Sequence, residues 1–418
     1  MAAALPSSTE QPGRPWNLTA EQEHKLKDFW SLMFKYFDGK QPDQLEEEEE
    51  EKSATPRGGG RFSWLRGKSV EKSENEVNNE DKYHLGKGFK KIIAELPPSE
   101  LRSTTYSMVK CHHPDTLVLR YLRARKWNVS NALVMLFASL RWRVREMRVD
   151  QILERGELGY LQDGNEEFME QCRSHKSVIA GRDNFGRPYV IGRPRFHYPK
   201  NQAPNIMNEY ILLILETTNL LLGETEDQGS ILFDMTGFGL SNMDYASVKF
   251  MIACLEAHYP EVLGTLLIHN APWIFQGIWK IINPWIDPVV ARKIQFTNTT
   301  ADLEKFIPLN QLPAREFENG GNENAPWDYI EPDPQENAKM KDFATRDRFL
   351  ADREKLYDEF ENLTREWIDG KDVNHQRKEV AKKLNRNYWQ LDPYIRARGL
   401  YDRIGWIKPR PLFGETTI

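Results

Sequence analysis

Val178-Ile179-Ala180, Tyr189-Val190-Ile191, Ile231-Leu232-Phe233, Leu266-Leu267-Ile268 and Ile294-Gln295-Phe296 are short β-type runs that all fall between Ser177 and Phe306. The first two flank Asp183-Asn184-Phe185-Gly186, whose composition marks a turn. After the second run the period changes repeatedly. Helical patterns over Ile206–Leu222, Asp244–Ala257 and Trp273–Ile282 alternate with the remaining strands. Such alternation predicts βαβ crossovers and an α/β fold around a mostly parallel five-stranded sheet.

Upstream, His112 to Ile152 reads as helical and basic. Asp115 follows a proline and starts the apolar series Leu117, Leu119, Tyr121 and Leu122, and a second helix from Ser130 spaces Leu133, Leu136, Phe137, Leu140, Val144 and Met147. Further back, Thr19 and Gln22 form a capping-box pattern, and Leu26, Phe29, Trp30, Met33 and Phe37 share one helical face over Leu18–Phe37. From Asp38 to about Asp81 the chain is acidic, then Gly-rich, with glutamates at every position from 46 to 51. Such a stretch cannot offset its ordering entropy and reads as a disordered linker. Its Arg61–Ser69 segment contains a Gly-Lys-Ser, but a phosphate loop needs glycine where Phe62 stands. A solvated linker with one basic-aromatic spot is the better reading. Beyond Pro332 two charged helical patterns, Ala338–Ile368 and His375–Gln390, form an accessory tail expected to fold back on the core. The expected division is 1–37 (tail and amphipathic helix), 38–81 (linker), 82–152 (helical domain), 153–330 (α/β domain) and 331–418 (helical extension).

The chain has 418 residues, 39% hydrophobic and 28% charged, enough for two or three domains with some solvated segments. Lys and Arg number 57 against 62 Asp and Glu, a net charge of −5, which argues against a chain devoted to nucleic acid. Cys111, Cys172 and Cys254 form no CxxC, so neither a disulfide framework nor a structural metal site is expected. Residues 1–10 lack a basic region leading into an apolar run. The greasiest stretch, Ile206–Leu222, is interrupted by Asn208, Glu209, Glu216 and Asn219. Membrane contact is therefore expected to be peripheral.

The segment Trp273–Pro284 is unusual. Gln276, Lys280 and Asn283 make a narrow polar stripe on an otherwise large and apolar helix, whereas a surface helix has a broad polar face. The helix is either buried all round or meets something greasy outside. Gly277, with Asn283-Pro284 at the end, reads as a hinge and favours a mobile lid.

These residues carry a family resemblance. Arg120-Tyr121-Leu122-Arg123-Ala124-Arg125-Lys126-Trp127 resembles the amino-terminal signature of CRAL-TRIO lipid-binding proteins. Asp234-Met235-Thr236-Gly237-Phe238, Tyr259-Pro260-Glu261, His269-Asn270-Ala271-Pro272-Trp273 and Asp287-Pro288-Val289-Val290 resemble the lipid domain in the family's order. The first helix, the linker and Asp392-Pro393-Tyr394-Ile395-Arg396 are similar to the fungal non-classical phosphatidylinositol transfer proteins.

The resemblance implies a sheet floor and helical walls enclosing one lipid, with a gate helix containing Trp273, Phe275, Gly277, Ile278, Trp279 and Ile282. Burying a methylene is worth about 0.8 kcal/mol, so a diacyl lipid with roughly thirty needs about 24 kcal/mol of shielding in transit. A closed apolar cavity that opens at a membrane meets that need, and Trp273, Phe275, Trp279 and Trp285 suit both the headgroup boundary and a core. By motif the headgroup residues are Arg125, Glu261 and Lys293: a planar fork and a point charge for phosphate, and an acceptor for inositol hydroxyls or for Lys293 itself.

Two departures from the family pattern stand out. Val290 replaces a hydroxyl near the headgroup, and Gly229, Ile231 and Leu255 replace the hydroxyls that hold a choline headgroup's phosphate. Phosphatidylcholine binding is therefore not expected, which leaves room for a second, less polar ligand such as a sterol or squalene. The expected ligand is phosphatidylinositol, with no cofactor or metal. The expected setting is the cytoplasm, with peripheral contact to endoplasmic reticulum (microsomal) and endosomal membranes and a phosphoinositide kinase as client.

Rival readings are a hydrolase, using His269 with Asp234 or Ser230, and a haem sensor, using His197-Tyr198 or His258-Tyr259. The chain has no GxSxG, HExxH or GxGxxG to support an enzyme.

Overall fold

Alternating apolar positions set the sheet. A computed structural model describes residues 12–15, 17–40, 89–223, 227–326, 328–410 and 412. In it β1 (Ser177–Arg182), β2 (Pro188–Gly192), β3 (Gly229–Asp234), β4 (Leu263–His269) and β5 (Ile294–Thr297) lie side by side in that order. β1 and β2 pair antiparallel, and β2 to β5 run parallel. Asp183 builds the turn between β1 and β2, its carboxylate accepting from the N–H groups of Phe185 (2.9 Å) and Arg187 (3.0 Å).

The helices used below are, in chain order, α1 (Ala20–Phe37), α2 (Pro98–Val109), α3 (Pro114–Ala124), α4 (Val129–Arg141), α5 (Pro204–Leu221), α6 (Tyr245–Ala253), α7 (Phe275–Ile282), α8 (Phe343–Ile368) and α9 (Asn374–Ile395). α5, α6 and α7 lie on one face of the sheet, all three lining one cavity with it. That face presents Ile231, Phe233, Leu266, Ile268 and Ile294 to a cavity. The residues between them, Leu232 and Leu267, point the other way and pack with Leu303, Ile307, Leu312 and Phe317, the two-residue period of a strand covered on both sides.

The Asp244–Ala257 helix is shorter than its apolar pattern. α6 ends at Ala253, and Cys254–His258 forms a wider π turn. The apolar period cannot register such a change, because it alters spacing by only one residue per turn. The lid pattern likewise begins late: α7 starts at Phe275, after a turn in which the Phe275 N–H donates to the Pro272 carbonyl at 2.9 Å.

The capping box between Thr19 and Gln22 forms. α1 buries Leu26, Phe29, Trp30, Met33 and Phe34 against Phe137 of α4, Phe360 and Trp367 of α8, and Val380 and Leu384 of α9. Phe37 is only partly buried. The first helix, the helical layer and the carboxy-terminal hairpin thus share one core. Asp115 ties all three, accepting from Trp30 Nε1 (2.8 Å) and Arg377 Nη2 (2.8 Å). Asp38, expected to open the linker, pairs with Arg365 at 2.9 Å. From residue 41 onward the expected linker, including Arg61–Ser69, lies outside the described residues.

Three buried histidines give this assembly an acid limit. Burial pushes His112 and His258 down to about 3 and His113 to about 4, from an ordinary value of 6.5. The unfolded chain therefore binds more protons below pH 6.5, and stability falls from there until the folded values are reached. Each costs about 2 kcal/mol by pH 5. Urea midpoints are expected to drop steeply between pH 7 and 5; a flat profile would mean these rings take up protons as readily in the folded chain as in the unfolded one.

Candidate functional site

The amino-terminal ends of β4 and β5 hold the first part of the site. Lys293 directly precedes β5, and Glu261 stands two residues before β4. Lys293 Nζ lies 3.8 Å from Glu261 Oε2 and donates to the Leu263 carbonyl at 2.8 Å. Arg125 comes from the carboxy-terminal cap of α3. All three line one polar cavity of about 310 Å³. Burial lowers the Lys293 ammonium below its usual range, against the pull of Glu261.

The chain is strained where it presents Arg125. Lys126 (φ 49°) and Trp127 (φ 64°) are both left-handed without being glycine, a costly conformation that persists only where its surroundings impose it. Here the Trp127 N–H donates to the Leu122 carbonyl at 2.7 Å and the Lys126 N–H to that of Arg123 at 3.1 Å. Nothing in the residue types announces this turn.

Sequence reasoning also missed Arg123, which lines the same cavity. Its guanidinium donates to Asp227 (2.7 Å) and to the Gly13 carbonyl (2.7 Å). Asp227 is buried and meets Arg14 at 2.9 Å as well, and its own carbonyl accepts from Arg120 at 3.0 Å. Three guanidinium groups surround one carboxylate, so burial pushes Arg14 down to about 10 and lowers Arg120. Positive charge is concentrated beside the cavity. The Arg-x-x-Arg-x-Arg run carried part of this signal; the contribution of Gly13 and Arg14, remote in sequence, did not show.

A second cavity, about 210 Å³ and mostly apolar, lies between the sheet and α5 to α7. Ile231, Leu255 and Val290 line it, and so do Phe275, Trp279 and Ile282 from one face of α7. Leu255 and Val290 line the polar cavity too, so the two compartments adjoin. Leu255 comes from the π turn, whose Glu256 accepts from the Asp287 N–H at 2.6 Å and fixes the chain after α7. Gly229 does not belong to the cavity lining. A Cβ there would meet the Pro188 carbonyl at 3.3 Å and Thr218 Cγ2 at 3.4 Å, so this position is fitted beneath α5 and cannot act in the pocket as expected.

α7 is neither buried all round nor polar outside. Ile278 packs with Phe275 and Ile282 in an apolar cluster beneath the helix, while Trp273 is 82% and Ile281 48% exposed. Trp279 meets Phe296 edge to face at 5.3 Å, and Phe296 is itself exposed. The helix has no side-chain cap at its start. Gly277 is not the hinge expected from sequence: it is helical, and a Cβ there would meet open space. The backbone changes direction at Asn270 before the helix and in the Asn283–Trp285 turn after it.

Of the rival residues, His197 lines the apolar cavity and His269 stands beside Asp234 in the sheet register, while the others are engaged elsewhere. His269 Nδ1 bonds Thr297 (3.0 Å) while Ser230 donates to Asp183 (2.7 Å), so serine and histidine have different partners. His258 stacks on Trp142 at 3.9 Å, and Tyr259 donates to Glu216.

The family model "CRAL/TRIO domain" matches residues 173–321 and "CRAL/TRIO, N-terminal domain" residues 86–137. Phosphatidylinositol transfer protein CSR1 of Eremothecium gossypii is 38% identical, over 96% of this chain and 100% of its own. This chain belongs to the CRAL-TRIO lipid-transfer family. A CRAL-TRIO domain-containing protein of Schizosaccharomyces pombe, C3H8.02, is also 38% identical, over 96% of this chain and 94% of its own. The Sec14 cytosolic factor of the same yeast is 26% identical over 51% of this chain and 76% of its own. The CRAL-TRIO match spans all five strands, both cavities except the α3 edge, and α7. The α3 edge with Arg125 falls in the amino-terminal match.

Proposed function

We propose that this protein binds phosphatidylinositol and carries it between membranes, presenting it to lipid-metabolising enzymes such as a phosphoinositide kinase. The adjoining of a cationic cavity and an apolar one across Leu255 and Val290 carries the reading. A phospholipid has that same division, and the family relation to a phosphatidylinositol transfer protein supports the choice of lipid. Arg125 and Lys293 take the phosphate, Glu261 accepts from inositol hydroxyls, and the acyl chains lie over the sheet. α7 acts as the gate, with Trp273 and Ile281 entering the membrane boundary as it opens. The protein meets endoplasmic reticulum and endosomal membranes from the cytoplasm as a peripheral visitor.

Acyl chains cannot discriminate among phospholipids, since each gains similarly from the apolar cavity. Polar groups must do so. Ile231 and Leu255 offer no hydrogen bond, and an unsatisfied phosphodiester costs several kcal/mol, about a hundredfold or more in affinity. Vesicle assays are expected to show phosphatidylinositol transfer with phosphatidylcholine transfer near background. Equal transfer of both lipids would defeat the selectivity argument; transfer of neither would defeat the reading.

A further inference from the structure

The apolar cavity has a polar end that the headgroup reading does not use. Lys176, just before β1, and His197, after β2, both line it and are both buried, 5% and 8% exposed. They stand at the carboxy-terminal ends of the parallel strands, whereas Lys293 and Glu261 stand at the amino-terminal ends. The seven residues of β4 put about 20 Å between the two ends.

Hydrogen bonding fixes the state of these groups. Asp244 Oδ1 accepts the N–H groups of Ala246 and Ser247, and its Oδ2 accepts from Ser247 Oγ at 2.7 Å. His197 Nε2 lies 3.1 Å from the same Oδ2 and donates to it. The other ring nitrogen, Nδ1, is then an acceptor, and it faces Lys176 Nζ at 3.2 Å. Among the described residues His197 is the only hydrogen-bond partner of that ammonium. No carboxylate there forms an ion pair with it, and two of its three protons remain for a ligand. The neighbouring Arg193 is already satisfied by Glu316 at 2.7 and 2.9 Å. Glu170 and Asp244 act on it only through space, so the end of the cavity carries a positive charge with no carboxylate in direct contact among the described residues.

We propose that Lys176, oriented by His197 and Asp244, receives the carboxylate of a single-chain lipid whose acyl tail lies in the apolar cavity. A buried ammonium costs free energy unless an anion meets it, and a carboxylate at the tip of an apolar chain supplies the anion without placing further polar atoms against Ile231, Phe233 or Leu266. A choline headgroup fits less well, because its trimethylammonium would approach Lys176. Burial pushes the Lys176 ammonium down to about 8, so it remains largely charged near neutral pH and loses that burden when a carboxylate binds.

The test uses the delipidated full-length chain with no phosphatidylinositol present, titrated calorimetrically with oleate and with oleyl alcohol, which differ only in the terminal group. Oleate is expected to bind about tenfold more tightly or better, the size of one charge-assisted hydrogen bond in a dry site. In Lys176→Met the two ligands should bind alike. Equal affinities in the unaltered protein, no binding of either, or discrimination that survives in Lys176→Met would overturn the proposal. Should Lys176→Met fail to fold, the oleate-to-alcohol ratio of the unaltered protein still decides. Because phosphatidylinositol is absent, failure here leaves the headgroup reading standing, and failure of phosphatidylinositol transfer leaves this site standing.

Discussion

Glu216→Ala is expected to destabilise the protein by about 3–5 kcal/mol in urea unfolding, the cost of leaving buried charge without its partner. Glu216 of α5 is 1% exposed and accepts from Lys110, from Arg143 at 2.5 Å and from the Tyr259 hydroxyl at 2.7 Å. Burial alone would raise its carboxyl, but Arg143 and Lys110 hold it far below the usual range. Without it Lys110, also buried, keeps no carboxylate among the described residues, while Arg143 retains Asp150 at 2.6 Å. Two cations then face each other in a dry interface. The loss reaches function as well, since Tyr259 leads into Pro260 and Glu261 at the polar cavity. Glu216→Gln keeps the hydrogen-bonding atoms but not the charge, and should fall between wild type and Glu216→Ala. Adding Lys110→Met to Glu216→Leu removes one surplus cation together with the acid and should recover much of the loss. A change under about 1 kcal/mol in Glu216→Ala would show that the cations escape to water.

The strands were legible because period-two alternation, turn residues and intervening helical runs all agreed. Leu232 and Leu267 belong to the far side of the sheet and Ile231 and Leu266 to the cavity, a division that alternation alone encodes. α1 was legible as an element through Thr19, Gln22 and its apolar face. Its destination against Phe360 and Trp367 was not, because helix-on-helix packing depends on which apolar faces meet across the fold. The π turn at Cys254–His258 and the left-handed pair Lys126-Trp127 were invisible for a related reason: tertiary contacts, not residue preference, impose them.

Motif matching brought together side chains that the fold also brings together, since Arg125, Glu261 and Lys293 line one space. It failed where direction mattered. Gly229 has the right strand parity but lies under α5, and Gly277 sits in regular helix facing open space. The buried cluster of Arg14, Arg120 and Arg123 around Asp227 escaped notice because its members come from separate segments, and only the fold brings them together.

Lys293→Ala is expected to reduce phosphatidylinositol transfer by about a hundredfold, the consequence of truncating one partner in a hydrogen-bonded charged site. Two effects add. The phosphate loses an ammonium held in place by the Leu263 carbonyl, and Glu261 loses the cation 3.8 Å away, so its charge then opposes an anionic headgroup. Stability should move little in the empty protein. Burial already lowers the Lys293 pKa, which means that the folded state disfavours its charge, and removing a disfavoured charge does not unfold a protein. Melting temperature is therefore expected to stay within a few degrees while transfer collapses. Lys293→Arg keeps the charge and should restore part of the rate, whereas Lys293→Met should behave as alanine does. Removing Glu261 as well, in Lys293→Ala with Glu261→Gln, relieves the repulsion and should recover some transfer without reaching wild type. Wild-type transfer by Lys293→Ala would mean that the phosphate is held elsewhere in the cavity, with the arginines around Asp227 the next place to search.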